Sequence, residues 1–290
     1  MASSIFVGLS TIDIVYGVDE FPAANTKIEA RSQEAFVGGP ATNAAIAFAH
    51  LGGKATLVTA VGRNVLAAVI REELDKHKVQ LVDLNPDFDG IPVLSSVTVD
   101  SSGNRNVVSA NAARVTIPAA RADANLCKEA HAVLVDGHFM QACQAWAAAA
   151  RSMGTPVVLD GGSWKEGMEQ LVKSAHTAIC SADFLPPGCA SRDDVIQFLK
   201  NRGVANIAIT SGVDPVQFVS GQSSGTIGVP QVKVVDTTGS GDILHGAYCF
   251  FASNGRGFIE SLAEATKIAS ESCRYAGTRE WMKHFVSKDL

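Results

Sequence analysis

Residues 42–61 read TNAAIAFAHLGGKATLVTAV and join a helix-like segment, 42–51, to a strand-like apolar run, 55–61. An earlier apolar run, residues 5–7, predicts a first buried strand that leaves the sheet into a loop carrying Asp13. A helix between two short apolar strands is typical of a βαβ unit, whose parallel strands are covered by helices on both faces. This stretch therefore predicts an α/β fold.

The same alternation continues toward the C-terminus. Further apolar runs predict strands at residues 132–135, 156–159, 177–180 and 206–210. Amphipathic segments predict helices at residues 66–77, 141–153 and 192–202. The body of the protein is therefore expected to contain a mostly parallel sheet between two layers of helices.

Two polar, alternating stretches interrupt this rhythm, residues 25–35 and 93–110. The second contains Ser102-Gly103-Asn104, which predicts a hairpin turn between two strand-like segments. Together the two stretches form either a small sheet outside the main one or two ordinary surface hairpins. A polar turn is expected at residues 222–228.

The composition is that of a compact globular protein. The chain has 290 residues, of which 47% are hydrophobic, and its 24 basic and 29 acidic residues give a net charge of −5. No basic run offers a surface for nucleic acid, and no apolar run approaches the ~20 residues that a membrane span needs. The six cysteines include no Cys-x-x-Cys pair, which argues against a zinc site and favours free thiols in the cytoplasm.

Residues 234–242, VVDTTGSGD, carry the strongest sign of chemistry. The run Gly239-Ser240-Gly241 leaves backbone N–H groups unobstructed at the start of a helix, where the helix dipole favours an anion such as phosphate. Asp242 follows these donors and is placed to take a proton from an attacking hydroxyl. The alternative is that Asp242 only caps the helix, and the spacing by itself favours capping.

Residues 36–47, FVGGPATNAAIA, form a second informative segment. Gly38 and Gly39 allow a ligand to approach the backbone closely, and Asn43 offers a donor and an acceptor to a polyol. The same small residues also suit close helix packing, so either reading fits the segment alone.

Three other polar residues give weaker signals. Asp136 and Asp160 end predicted parallel strands, where they either line a cleft or cap a turn. His245 follows Asp242 by three residues and is expected to pack under the site rather than to act in it.

Taken together, the two glycine-containing segments identify a family. FVGGPATNAAIAFAHLGGKATLVTAVGRN resembles the N-terminal signature of the ribokinase-like sugar kinases, the PfkB carbohydrate kinase family. VVDTTGSGDILHGA resembles their C-terminal signature, DTxGxGDxxxGA. The resemblance covers nearly the whole chain. It implies one domain over residues 1–290, a three-layer α/β sandwich with a small β lid from about residues 25–35 and 93–110, and ATP-dependent phosphorylation of a sugar hydroxyl.

The resemblance also implies roles for individual residues. Asp242 is the expected catalytic base, and Gly239, Ser240 and Gly241 are the expected anion hole. The expected sugar contacts are Asp13, Gly38, Gly39 and Asn43, with Arg105 or Asn106 reaching the sugar from the lid. The expected nucleotide contacts are Thr210, Gly212 and Thr237, and Asp236 with Thr238 is the expected site for a monovalent cation such as K⁺.

Two departures from the family pattern bear on the cofactors. Residues 180–184, CSADF, lack the glutamate of an Asn-x-x-Glu motif that organises water around Mg²⁺, so Mg²⁺ is expected to be held through the ATP phosphates and water. The nucleotide loop continues Val213-Asp214-Pro215 instead of reaching a second glycine. These losses leave a catalytically silent sugar-binding protein as an alternative, although the retained Gly-Ser-Gly-Asp run argues against it.

The expected acceptor is a small-molecule sugar. The first signature resembles the branch with ketose and sulfosugar kinases, and a nucleoside is the alternative acceptor. Val97, Val99 and Val107 would give the lid one apolar face, and because a small sheet is marginal alone, a homodimer through the lid is expected.

Overall fold

The computed structural model describes residues 1–110, 112, 115, 117–118 and 122–285. The strands within these ranges are β1 (Ser3–Val7), β2 (Thr11–Gly17), β3 (Ser32–Gly38), β4 (Lys54–Thr59), β5 (Gln80–Asp83), β6 (Leu94–Val99), β7 (Arg105–Ser109), β8 (Ala132–Val135), β9 (Val157–Gly161), β10 (Thr177–Ser181), β11 (Asn206–Ser211), β12 (Asp214–Ser220) and β13 (Ser223–Ile227). The α-helices are α1 (Pro40–His50), α2 (Ala67–Lys76), α3 (Ala124–Glu129), α4 (Met140–Ser152), α5 (Met168–Ser174), α6 (Arg192–Lys200), α7 (Ser240–Ser253) and α8 (Phe258–Ser272). A 3₁₀ turn follows at Glu280–Lys283.

Nine strands form the central sheet, in the order β13-β12-β11-β10-β9-β8-β1-β4-β5. Seven of them are parallel, from β11 across to β5, and only β12 and β13 pair antiparallel at one edge. The predicted α/β fold with a mostly parallel sheet is confirmed.

Helices cover both faces of this sheet because side chains alternate along each buried strand. In β1, Phe6 points into the layer that holds α1, α2, α7 and α8, whereas Ile5 and Val7 point into the layer that holds α4, α5 and α6. Phe6 packs edge-on against Phe48 of α1, with ring centroids 5.3 Å apart. None of the helices in the described ranges is long and apolar enough to cross a membrane.

A separate four-stranded sheet lies outside the main one, in the order β3-β2-β6-β7. β6 and β7 form the predicted hairpin, and Gly103 in its turn has φ +82°. Of the predicted stretch 25–35, only the end lies in a strand, because β3 begins at Ser32.

Two expectations about connecting segments are wrong. Asp13 lies on β2 of the small sheet and not in a loop, since the chain leaves β1 and at once forms a new strand. Residues 222–228, expected as a polar turn, contain the edge strand β13. An edge strand can be polar because one side of it faces solvent.

A close approach of α1 and α7 positions the candidate site. A Cβ at Gly246 on α7 would overlap the backbone carbonyl of Ala44 on α1. The glycine therefore lets the two helix backbones touch, which brings the first turns of both helices together.

Candidate active site

The first turn of α7 presents backbone donors without partners. Gly239, the N-cap residue, has φ +68°, and no side chain caps the helix. Within the described part of the chain, the amides of Gly239, Gly241 and Asp242 donate to no protein acceptor, whereas Ser240 N donates to the Thr237 carbonyl over 3.2 Å. Unpaired N–H groups at the positive end of a helix dipole form an anion-binding site.

Asp242 stands beside these amides and is half-buried. Its Oδ2 accepts a hydrogen bond from Asn43 Nδ2 over 2.7 Å, and it caps no backbone amide of α7, so the capping alternative is wrong. Burial, together with the nearby charge of Asp160, raises the pKa of Asp242 to about 7 against the opposing effects of Asn43 and His245. A carboxylate with a pKa near the working pH is suited to general base catalysis.

His245 packs beneath Asp242, as expected. The imidazole is buried, with Nδ1 2.7 Å from the Gly241 carbonyl and Nε2 3.1 Å from the Ile179 carbonyl. Nε2 also lies 3.6 Å from Asp160 Oδ1, at the carboxyl end of β9.

Asp136 has a structural role at the carboxyl end of β8. Its buried carboxylate accepts hydrogen bonds from the amides of Leu9 (2.8 Å), Ala41 (3.2 Å) and His138 (2.8 Å). A Cβ at Gly8 would overlap this carboxylate, so the glycine makes room for it. Of the two readings of Asp136, capping is the one that these contacts support.

Asp13, Gly38 and Asn43 lie together at the base of the small sheet. Burial raises the pKa of Asp13, although hydrogen bonds with Thr11 and Ser95 oppose the shift. A Cβ at Gly38 would overlap the Asp13 carboxylate. Gly39 has φ +98°, and a Cβ there would overlap the Leu9 carbonyl, so both glycines are needed for the turn into α1.

A cavity of about 800 Å³ opens between the small sheet and the start of α7. Polar side chains of Asp13, Asn43 and Thr237 are part of its lining. Seven further lining residues, from the small sheet and from the segment before α7, are apolar: Val15, Phe36, Val97, Val99, Val107, Val234 and Val235. We call these seven residues the apolar wall.

Arg105 connects the small sheet to the loop that precedes α7. Its Nη1 donates to Thr238 Oγ1 over 2.9 Å, and its Nη2 lies 3.4 Å from Thr237 Oγ1. Asn106, the next residue of β7, alternates to the opposite face and is not among the residues that line the cavity. Of the two lid residues predicted to reach the sugar, only Arg105 therefore faces the cavity.

The predicted nucleotide residues lie in two places. Thr237 lines the cavity, but Thr210 and Gly212 lie at the end of β11, along the carboxyl edge of the main sheet. Thr210 Oγ1 donates to the Cys180 carbonyl over 3.4 Å, and Gly212 forms the exposed turn to β12 with φ +54°.

The predicted cation-binding residues, Asp236 and Thr238, already form hydrogen bonds with each other. Asp236 Oδ1 accepts from the amide and hydroxyl of Thr238, and Oδ2 accepts from the amide of Gly277 over 2.9 Å. Burial opposes ionisation of Asp236, but these hydrogen bonds outweigh it and lower its pKa. Both carboxylate oxygens are thus engaged by donors, and the K⁺ site expected at Asp236 and Thr238 stays a prediction. In the described ranges, no three His, Cys, Asp or Glu side chains group as metal ligands.

Two residues of the site, Arg279 and Glu73, belong to no motif that the sequence analysis identified. Arg279, near the 3₁₀ turn, donates from Nη1 to Asn43 Oδ1 over 2.9 Å and from Nη2 to the Val37 carbonyl over 3.0 Å. Its Nε lies 3.1 Å from Glu73 Oε1 on α2. A hydrogen bond with His77, and the charge of Arg279, overcome partial burial and lower the pKa of Glu73 to about 2.

Comparison with known proteins identifies the family. The model of the pfkB family carbohydrate kinases matches residues 1–284. The chain belongs to this family. Its membership confirms the predicted family and the predicted enzyme class, a phosphotransferase that acts on an alcohol group.

Individual relatives of this pfkB family member are distant. A ribokinase from Lactococcus lactis subsp. lactis is 22% identical over 288 residues, 95% of this chain and 92% of that protein. A nucleoside kinase from Methanothermobacter thermautotrophicus is 25% identical over 81% of this chain and 78% of that one. The structure of an Arabidopsis thaliana ribokinase complexed with ribose and ATP matches with a TM-score of 0.77 and 21% identity, covering 97% of each chain. This similarity shows the shared fold.

Proposed function

We propose that this enzyme transfers the γ-phosphoryl group of ATP to a sugar hydroxyl, with Asp242 as the general base. The observation that carries the proposal is the position of Asp242, whose carboxylate has a pKa of about 7 and stands beside the unpaired amides of Gly239 and Gly241. Its partner Asn43 lines the cavity in which an acceptor would lie.

In the proposed reaction, the acceptor O–H proton passes to a carboxylate oxygen of Asp242. The acceptor oxygen forms its bond to the γ-phosphorus as the bond from phosphorus to the β-phosphate oxygen breaks, and ADP leaves. The amides of Gly239 and Gly241 donate to the charge on the transferred group, and the amide of Ser240 contributes once it releases the Thr237 carbonyl. Asp13, Gly38, Gly39 and Asn43 orient the acceptor, and Arg105 reaches it from the lid.

ATP is proposed to lie along the carboxyl edge of the main sheet, past Thr210 and Gly212 toward Thr237. Mg²⁺ would neutralise phosphate charge when it arrives with ATP. In the described ranges, no group of three or more His, Cys, Asp or Glu side chains offers it a cage. Turnover should stop in excess chelator, while the metal should bind only weakly without nucleotide.

The charge of the cavity supports a neutral acceptor. Carboxylates of Asp13, Glu34, Asp236 and Glu280 line it, against the guanidiniums of Arg105 and Arg279. Arg279 is paired with Glu73, so the surplus of negative charge would repel an anionic group. This argues for an uncharged sugar such as a ketose over a sulfosugar.

The apolar wall favours a second candidate, a nucleoside kinase. A free sugar exposes hydroxyls on every side, whereas valines and a phenylalanine offer no hydrogen bonds to them. A nucleoside would place its flat base against the apolar wall and its ribose toward Asp13 and Asn43.

One screen separates these candidates. ADP release is measured with ketoses, aldoses, sulfosugars and nucleosides, with Asp242→Asn as the inactive control. Turnover of a neutral sugar supports the first proposal, and turnover of nucleosides alone supports the second. Binding of a sugar without ADP release from any acceptor would contradict both and support a silent sugar-binding protein. Repeating the active reaction with and without K⁺ tests the cation prediction.

The expected homodimer remains a prediction. Val97, Val99 and Val107 line the cavity of their own chain, so the apolar face on which the expectation depended already covers the cavity. A dimer through the lid would have to use the opposite face. Light scattering at micromolar concentration tests it, and a fully active monomer would rule it out.

A further inference from the structure

The guanidinium of Arg279 is held by groups from four parts of the fold. It donates to Asn43 on α1, to the carbonyl of Val37 at the end of β3, and to Thr278, while Glu73 of α2 faces its Nε. The Arg279 and Glu73 side chains are each 18% exposed. A charged side chain with this many short contacts is fixed in one orientation.

This orientation decides which way the amide of Asn43 points. Arg279 can only donate, so the oxygen of the Asn43 amide must face it, at 2.9 Å. The amide nitrogen must then face the other way, where it donates to Asp242 Oδ2 over 2.7 Å. A flipped amide would set an oxygen against the Asp242 carboxylate and an NH₂ group against the guanidinium, and both contacts would be repulsive.

We propose that Arg279 is a positioning residue for the catalytic base: through the amide of Asn43 it keeps a hydrogen-bond donor aimed at the Asp242 carboxylate. The inference rests on the proposed function of Asp242 and adds to it a residue that acts on Asp242 through Asn43. Glu73 balances the charge of Arg279, so that this cation orients Asn43 without being free to bind an anionic substrate.

The consequence is a change in the titration of Asp242. Asp160 at the end of β9 and Asp136 at the end of β8 favour its neutral form, whereas His245 of α7, Asn43 of α1 and the charge of Arg279 favour its ionised form. Loss of Arg279 removes a positive charge and frees the Asn43 amide to turn away. Both effects disfavour the carboxylate, so the pKa of Asp242 rises further above its ordinary value.

The first test is Arg279→Gln, with Arg202→Gln as the matched control. Arg202 also forms a half-buried pair with a glutamate, Glu169, at 2.9 Å, but on the far helical layer. In Arg279→Gln the acid limb of kcat/KM should move up by about 1 pH unit. At pH 7 kcat/KM should therefore fall roughly fivefold, and it should recover near about pH 9. Arg202→Gln should leave the limb where it is, and Arg279→Lys, which keeps one donor, should restore part of the shift.

Glu73→Gln gives a test of opposite sign. It keeps the shape of the side chain but leaves Arg279 without its counter-charge, so that the positive charge of Arg279 acts unbalanced on the carboxylate of Asp242. The acid limb should then move down. An unchanged limb in both Arg279→Gln and Glu73→Gln would overturn the proposal, as would a loss of activity that is the same at every pH.

A readout without turnover separates this inference from the proposed function. The carboxyl ¹³C resonance of Asp242, assigned by its absence in Asp242→Asn, is titrated in the unmodified protein and in the folded Arg279 variants. If no acceptor is phosphorylated but the midpoint still moves up in Arg279→Gln, the proposed function fails and the positioning role stands. If Arg279→Gln does not fold, Arg279→Lys and Glu73→Gln are titrated, and equal midpoints in these and the unmodified protein would overturn the role.

Discussion

The N-termini of α1 and α7 follow the same local plan. Each helix has a glycine with positive φ as its N-cap, Gly39 at +98° and Gly239 at +68°. In each, the carbonyl of that glycine accepts from the amide four residues on, Asn43 or Ile243, over 2.9 Å. Neither glycine can cap its helix with a side chain.

The two helices differ in what meets the next amide. In α1, Pro40 has no N–H, and the amide of Ala41 donates to the buried carboxylate of Asp136. In α7, the equivalent amide, Gly241, has no acceptor among the described residues and is exposed to solvent. The protein therefore fills one positive helix end with its own carboxylate and leaves the amides of the other helix end open to solvent.

The largest expected effect comes from removing the carboxylate at the open end. Asp242→Asn should lower turnover by roughly 10²–10⁴-fold, the usual value of positioned proton transfer. Because the pKa of Asp242 is raised in the folded protein, its ionisation costs stability as the pH rises through about 7. The variant should therefore melt no lower than the unmodified protein at pH 8. Measurements of ADP release and melting temperature test this, and retained activity in a normally folded variant would refute the role of Asp242.

Removing the carboxylate of Asp136, at the filled start of α1, should instead lower stability and leave most of the turnover. Asp136→Asn turns an NH₂ group toward backbone donors that the carboxylate now accepts, and an unsatisfied buried donor costs about 1–3 kcal/mol. The melting temperature should fall by several degrees and turnover should be largely retained, while the acid limb of kcat/KM moves slightly down because the Asp136 charge helps to raise the pKa of Asp242. Denaturant unfolding measures the loss. A variant with normal stability but little turnover would move Asp136 into the catalytic site.

The contact between the two helices can be loosened directly. Gly246→Ala sets a methyl group against the Ala44 carbonyl, and such overpacking typically costs about 1–3 kcal/mol. The displacement of α1 from α7 should also lengthen the Asn43–Asp242 hydrogen bond and reduce kcat severalfold. Gly257→Ala is the control, since a Cβ at Gly257 meets no atom within 4 Å. Equal stability of the two variants would show that the helix approach does not depend on Gly246.

The smallest expected effect is a change in the NMR signals of the open backbone amides at the start of α7. Inorganic phosphate added at millimolar concentration should shift the amide resonances of Gly239 and Gly241, because their N–H groups are open. The amide of Ala41 should not move, since Asp136 occupies it. An NMR titration in matched ionic strength measures both, and equal shifts at the two helices would remove the distinction between them.

Much of the fold was predictable because it depends on local patterns. The strand predicted at 132–135 has the same bounds as β8, and the helix predicted at 192–202 contains α6. The two missed strands lack an unbroken apolar run, which is the mark of a buried strand. β2 lies inside the small sheet but carries Asp13 among its apolar residues, and the polar β13, which occupies most of 222–228, lies at the edge of the main sheet.

Three features can be read from neighbours along the chain: the glycines, the order of the two signatures and the aspartate after an open helix start. The contacts of each aspartate depend on the tertiary structure. Asp242 contacts Asn43 across 199 residues, and Arg279 contacts the same asparagine across 236, because the sheet order sets α1 beside α7 and returns the C-terminal segment to them. No local pattern encodes such contacts, and so Asp242 and Asn43 could be proposed from the sequence as separate candidates, while their contact with each other and with Arg279 could not.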